Sequence, residues 1–121
     1  MQKSRLERLR LYSLPEIIEY MKKTDENDWC VDVVRSWNSN CFFWHLHAMC
    51  KDDEEATFNW DMFEDQWATT YMIYPVNDGQ NPKYQQATPK QRVLAYLKNL
   101  LNGTEKDTYQ LMQEYDTPKT T

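Results

Sequence analysis

The stretch CFFWHLHAMC, residues 41–50, sets two thiols and two imidazoles among three large aromatic rings. Three chemistries draw on such residues: zinc ligation, nucleophilic attack by a thiolate paired with a base, and plain core packing. Spacing separates them. On a helix, Cys41 and His45 share a face at i and i+4, and His47 and Cys50 meet at i+3. His47 lies about 200° around that helix from His45, so the four side chains do not converge on one tetrahedral ion. On a strand, Cys41, Phe43, His45 and His47 share a face, which still makes no four-ligand cage. A small metal site using His45, His47 and a cysteine, completed by Cys30 or by distant carboxylates, stays open as an alternative. Nothing in the sequence marks the oxyanion hole that a Cys41–His45 pair would need. The stretch is expected to be a buried helix with hydrogen-bonded imidazoles, and no catalytic residue, resident metal or cofactor is expected.

Acids form the second set. From Asp52 to Pro82 there is no Lys or Arg, while Asp52, Asp53, Glu54, Glu55, Asp61, Glu64, Asp65 and Asp78 give the segment about −8. The whole chain carries −5, so the remainder is about +3. Trp60, Phe63, Trp67, Tyr71 and Tyr74 are interleaved with these acids. Carboxylates gathered on one face would steer in a basic protein and repel phosphates, with aromatic rings as anchors. The expected partner-binding residues are Asp52, Asp53, Glu54, Glu55, Trp60, Asp61, Glu64, Asp65, Trp67 and Tyr71. The competing reading is a helix with rings inward and charges in water. Pairs such as Asp61 with Glu64 or Asp65 look the same on any solvated face, so no acid/base role is assigned to them. A further alternative is a small-ligand or nucleotide pocket in which aromatics stack on a base and Asn77 and Asp78 bond its polar edge.

The elements that must position these groups are mostly helical. Two Gly and five Pro in 121 residues are too few for a loop-rich sandwich or a phosphate-cradling glycine loop. Ser13-Leu14-Pro15-Glu16 is a capping-box start, and Ile17, Ile18 and Met21 follow it with Lys22 and Lys23 in the last turn. Residues 24–28 read as a loop. Residues 29–37 fit a strand through Val31, Val33 and Val34, or a helix through Cys30, Val33, Val34 and Trp37; helix is preferred. Asn38-Ser39-Asn40 is read as a turn and N-cap for a helix over 41–50. Trp60, Phe63, Trp67, Tyr71 and Met72 predict a helix over 59–73, and residues 74–84, with two prolines and Asn77-Asp78-Gly79, predict a loop. Thr88-Pro89-Lys90-Gln91 opens the clearest helix, with Val93, Leu94, Leu97, Leu100 and Leu101 as its stripe and Gly103 as its stop. Thr104 can cap a last helix to about Tyr115, and residues 116–121 are expected to fray. Residues 1–12, with Lys3, Arg5, Arg8 and Arg10 around Leu6, Leu9 and Leu11, read as a basic amphipathic arm.

The result is one all-α domain over 1–121, of five or six short helices with at most one short strand pair. Its expected core is Ile17, Ile18, Met21, Trp29, Phe42, Leu46, Met49, Trp60, Phe63, Trp67, Val93, Leu94, Leu97 and Leu101. Three cysteines cannot all pair, and no run reaches the ~18 apolar residues of a membrane span, so a reducing, cytoplasmic location is expected.

Trp29-Cys30, Cys41 to Met49 and VNDGQNPKYQQATPKQRVLAYLKNL together resemble a family of small uncharacterised helical proteins of bacteriophage and bacterial genomes. Asn77, Asp78, Thr88, Pro89 and Val93 match its Asn-Asp and Thr-Pro helix-start motifs, and Cys41, His45 and Leu46 its cysteine segment; Trp44 stands where that family usually has glycine. The likeness spans roughly residues 14–101. It implies a helical fold and a phage or mobile-element setting, and no catalytic residue. The function expected is non-enzymatic: an accessory or anti-defence protein that inhibits by binding a basic host or phage protein, not nucleic acid or membrane. Exposed aromatics would also permit a homodimer.

Overall fold

The computed structural model describes residues 9–31, 35–36 and 39–105, and of residues 35–36 and 39–40 the backbone alone. Five helices carry the fold: α1 (Leu14–Lys23), α2 (Phe42–Met49), α3 (Asp53–Gln66), α4 (Thr70–Asn77) and α5 (Pro89–Asn102). A one-turn 3-10 helix, Glu26–Asp28, and two short strands, β1 (Arg35–Ser36) and β2 (Ser39–Asn40), join α1 to α2. The chain is an all-α domain.

Local chemistry sets most of the ends. The Ser13 hydroxyl accepts from the Glu16 amide at 3.3 Å, and Glu16 Oε1 accepts from the Ser13 amide at 3.1 Å, which closes the expected capping box. Thr88 caps α5 by accepting from the Gln91 amide at 3.2 Å, and Gly103 ends it at φ 74°, left-handed backbone that glycine adopts without strain. The residues between α1 and α2 differ from expectation. Trp29–Val31 is not helical, and Arg35 and Ser36 pair antiparallel with Asn40 and Ser39. Val31 is β-branched and favours extended backbone, while Val33, Val34 and Trp37 of the expected helix lie outside the described residues; Trp29 is tied at both ends, since its indole donates to Thr24 Oγ1 at 2.9 Å and its ring lies 4.3 Å from that of His45. Ser39–Asn40 is therefore strand, and Cys41 takes the N-cap position of α2 without a side-chain cap bond.

The helix expected over 59–73 is two helices. α3 starts earlier, because Asp52 accepts from the Glu55 amide at 2.9 Å and acids in the first turn complement the positive helix end. It stops at Gln66, where Trp67 leaves helical geometry (φ −123°, ψ −68°) and Ala68 is buried. α4 then runs through Pro75 into the segment read as loop. The missing Pro75 amide removes a single helical bond, and the Pro75 carbonyl accepts from Gln80 at 2.8 Å as the chain turns away.

The core lies where α5 packs on α1 and α4 and α2 packs on α3. Ile17, Ile18, Met21, Trp29, Phe42, Leu46, Phe63, Val93 and Leu97 are buried as expected. Met49, Trp60, Trp67 and Leu94 are only partly buried against that core, and Leu101 is 45% exposed, with Leu100 buried in its place. No helix among the described residues is long and apolar enough to cross a membrane. Of the expected basic arm only residues 9–12 are described, and the expected helix from Thr104 and the tail lie outside the described residues beyond Glu105.

Candidate interaction surface on α3

The cysteine–histidine stretch folds as one core helix. His45 is 4% exposed; its Nε2 lies 3.1 Å from the Asp28 carbonyl, to which it donates as the neutral imidazole. Burial pulls its pKa below the ordinary 6.5. His47 points the other way, with Nε2 2.9 Å from Asp53 Oδ1. Burial pushes the Cys41 thiol up, and burial with Glu55 raises that of Cys50 to about 11. Neither thiol is a thiolate near neutral pH, so neither is poised as a nucleophile. No group of three or more metal-ligating side chains converges among the described residues.

Polar groups that the sequence made conspicuous are consumed by the fold. Asn77 is fully buried: its Oδ1 accepts from the Phe42 amide at 3.2 Å, supplying the cap that Cys41 does not, and its Nδ2 donates to the Cys30 carbonyl at 2.8 Å and Asp78 Oδ1 at 3.0 Å. Asn77 therefore has no face for a ligand, which corrects its reading as a ligand-binding residue, and Asp78 is its half-buried neighbour. Arg92, 8% exposed, donates to the carbonyls of Val76, Gln86 and Asn77 at 3.1, 3.0 and 2.8 Å and so closes the C-terminus of α4. Gly79 (φ 78°) lets the turn lie on that guanidinium, where an added Cβ would stand 3.3 Å from Cζ. Asn59, 2% exposed, receives the Tyr12 amide at 2.8 Å and donates to the Arg10 carbonyl at 2.8 Å, fastening the N-terminal segment to α3. Sequence reasoning missed Asn59 and Arg92, because a buried polar side chain on a helix reads as a surface one until its distant partner is known.

Two clefts flank α1. One of about 510 Å³ is lined by Tyr20, Lys23, Thr24, Asp25, Asp28, His45 and Ala48. The other, about 360 Å³, lies beside Tyr12, Pro15, Glu16, Glu19, Tyr20, Lys23 and Met49. Neither includes Asn77, Asp78 or a tryptophan.

The acidic run divides in two. Glu55 is 2% exposed, with Oε1 accepting from the Lys51 amide at 3.3 Å, so it cannot meet a partner. Asp52 is the α3 cap, Asp53 pairs with His47, and Glu64 Oε1 accepts from the Trp60 indole at 2.8 Å. Trp60 lies against Phe43 at 4.6 Å with its plane tilted by 14°, and Trp67 packs on the core, so neither ring is the projecting anchor expected of it. Tyr71 does project, at 90% exposure. What faces water on the back of α3 is the pair Asp61 and Asp65, four residues apart and opposite the buried Ala56, Asn59 and Phe63, with Glu54, seven residues before Asp61, half-buried. Asp61 and Asp65 are exposed and form no ion pair among the described residues. The row can attract cations.

No protein-family model matches the chain, and no curated protein or solved structure is similar enough to match. The family likeness therefore rests on the motifs alone.

Proposed function

We propose that this protein is a non-enzymatic binding module that holds a basic partner protein on the outer face of α3. The observation that supports this is the position of Asp61 and Asp65. Asp52 to Glu55 serve the helix itself, because an acid in the first turn meets the positive end of the helix dipole. Asp61 and Asp65 sit in the second half of the helix, where that benefit is absent and, in the last turn, reversed. Their charges do nothing for α3, and no described cation matches them. A helix whose inner face is fixed by Ala56 and Phe63 presents them with little ordering cost. Exposed ion pairs are each worth under about 1 kcal/mol, so the row steers and orients a partner more than it holds one. Tyr71 is the ring placed to add apolar contact. In the accessory-gene setting implied by the family likeness, such a surface suits an inhibitor that fills a basic nucleic-acid channel of a host protein in the cytoplasm. The test is affinity capture with the native chain and with the Asp61→Asn, Asp65→Asn variant as baits, each at low and high salt. The expected partner is retained by the native bait at low salt, released at high salt and missed by the variant. A partner held equally in all four conditions would end this reading.

A further inference from the structure

We infer that the cleft at the C-terminal end of α1 binds a small zwitterion, with the ammonium group donating to His45 Nδ1 and the carboxylate held at the mouth. The inference goes beyond the reading above and uses no residue of α3. The cleft, about 510 Å³, lies between α1, the 3-10 turn and α2, and ligand pockets commonly measure roughly 300–1,000 Å³.

Its one buried wall residue is His45, at 4% exposure. Nε2–H is spent on the Asp28 carbonyl at 3.1 Å, so the lone pair of the neutral ring sits on Nδ1, which meets no hydrogen-bond partner among the described residues. That bond and the Trp29 ring, 4.3 Å away, fix the imidazole before anything binds. A buried acceptor without a donor is costly, and burial, which pulls the pKa down, discourages the ring from protonating itself. Whatever enters must bring the hydrogen.

Charges of both signs flank that acceptor. The Asp28 carboxylate is near enough to act on the imidazole's charge, and Asp25 lines the same side. Across from them stand Lys23 and Tyr20 of α1. Lys23 and Asp28 are exposed and form no ion pair among the described residues. Burial pushes the Tyr20 phenol up, so its hydroxyl stays a donor. An ammonium can donate to Nδ1 and to Asp28 together, and a carboxylate can accept from Lys23 and Tyr20. Other occupants fit less well. The acids and His45 do not converge as a metal-ligand set, an anion would face two carboxylates and a lone pair, and an apolar molecule would leave Nδ1 and the charges unanswered.

The test titrates the native chain, to about 10 mM, ten times a millimolar Kd, with norvaline, 5-aminopentanoate, pentylamine and pentanoate. The first two carry both charges, adjacent or at opposite ends, and the others carry one. Two-bond proton–nitrogen NMR of the imidazoles reads binding directly, with His47 as the internal control. At least one zwitterion is expected to move the His45 Nδ1 resonance toward that of a protonated nitrogen, and to bind about tenfold more tightly than pentylamine or pentanoate. Asp28→Asn should weaken the zwitterion and pentylamine; Lys23→Gln should weaken the zwitterion and leave pentylamine unchanged. Both substitutions are at exposed positions, so they report even if His45→Phe, expected to abolish binding, also loosens the fold. Binding of pentylamine or pentanoate as tight as that of either zwitterion would overturn the proposal. So would a zwitterion that binds without moving Nδ1, or no response to any of the four.

Discussion

Around Asn77 the two buried polar side chains face inward: the amide of Asn77 reaches Cys30 and Phe42, and Arg92 reaches three carbonyls behind it. On the back of α3 the carboxylates of Asp61 and Asp65 face outward and meet no described cation. Both regions are rich in polar residues and both adjoin helix ends. The difference is that the first contains irregular backbone that must be hydrogen-bonded once buried, whereas the second is a regular helix that satisfies itself. Polar side chains around Asn77 are thus required by the fold, and those on α3 are released for another use. Asn59 crosses the two cases: it belongs to α3 but faces inward, because Arg10–Tyr12 is another irregular segment that needs partners.

This contrast can be broken most sharply at Arg92. Arg92→Met keeps the bulk and removes the donors to Val76, Gln86 and Asn77. The expected loss is about 3 kcal/mol, because bonds to a charged donor are worth more than neutral ones and three buried carbonyls are left without it. Arg92→Lys should recover little, since one ammonium cannot span three acceptors held by a planar fork. Urea unfolding with an unchanged slope is the measurement. A loss below about 0.5 kcal/mol would mean that the turn is held by its backbone alone. Asn59→Ala comes next, at about 2 kcal/mol, and should speed hydrogen exchange at the Tyr12 amide before it affects α5.

The same contrast explains what could be read from the sequence. Helix α5 and the start of α1 were legible to the residue, because Thr88-Pro89, Gly103 and Ser13-Glu16 act on their own neighbours. The segments around Trp29 and Asn77 were misread because distant residues settle them: Trp29 by Thr24 and His45, Asn77 by Cys30 and Phe42, α4 by Arg92. The break at Trp67 was also hidden, since Trp60, Phe63, Trp67 and Tyr71 keep helical spacing across it. Of the acidic set, charge counting could not tell Glu55, drawn under Lys51, from Asp61 six residues on. The position of each acid along α3 could have helped, because only those in the first turn have a use in starting a helix.

His45 tests the inward region by pH. Its folded pKa lies below 6.5 because the ring is buried, so the folded state favours the neutral form. The stability this contributes is full above the unfolded value and is lost as pH falls through the depressed folded one. Comparing unfolding free energy at about pH 7.5 and pH 5, the native chain should lose stability that His45→Phe does not lose. An identical pH response in the two proteins would show that the imidazole is not constrained by its site.

The smallest effect expected is the most telling for function. Asp65 stands in the last turn of α3, close to the negative end of the helix, and no basic residue shares that turn. A carboxylate there opposes the dipole, an effect of a few tenths of a kcal/mol at an exposed site. Asp65→Asn should therefore leave stability unchanged or raise it by up to about 0.5 kcal/mol, and Asp61→Asn should lie within the same range. Thermal melts at low and high salt check this, because screening should shrink whatever gain appears. A residue that holds a fold together does not behave in this way. If Asp65→Asn instead lowers stability by more than about 1 kcal/mol, the carboxylate is part of the structure, as Asn77 and Arg92 are, and the outward row loses the member that most sets it apart. A stabilising outcome that shrinks with salt means that the helix carries a charge its own dipole disfavours, so the carboxylate of Asp65 is not spent on the fold and stays open to a group outside the molecule.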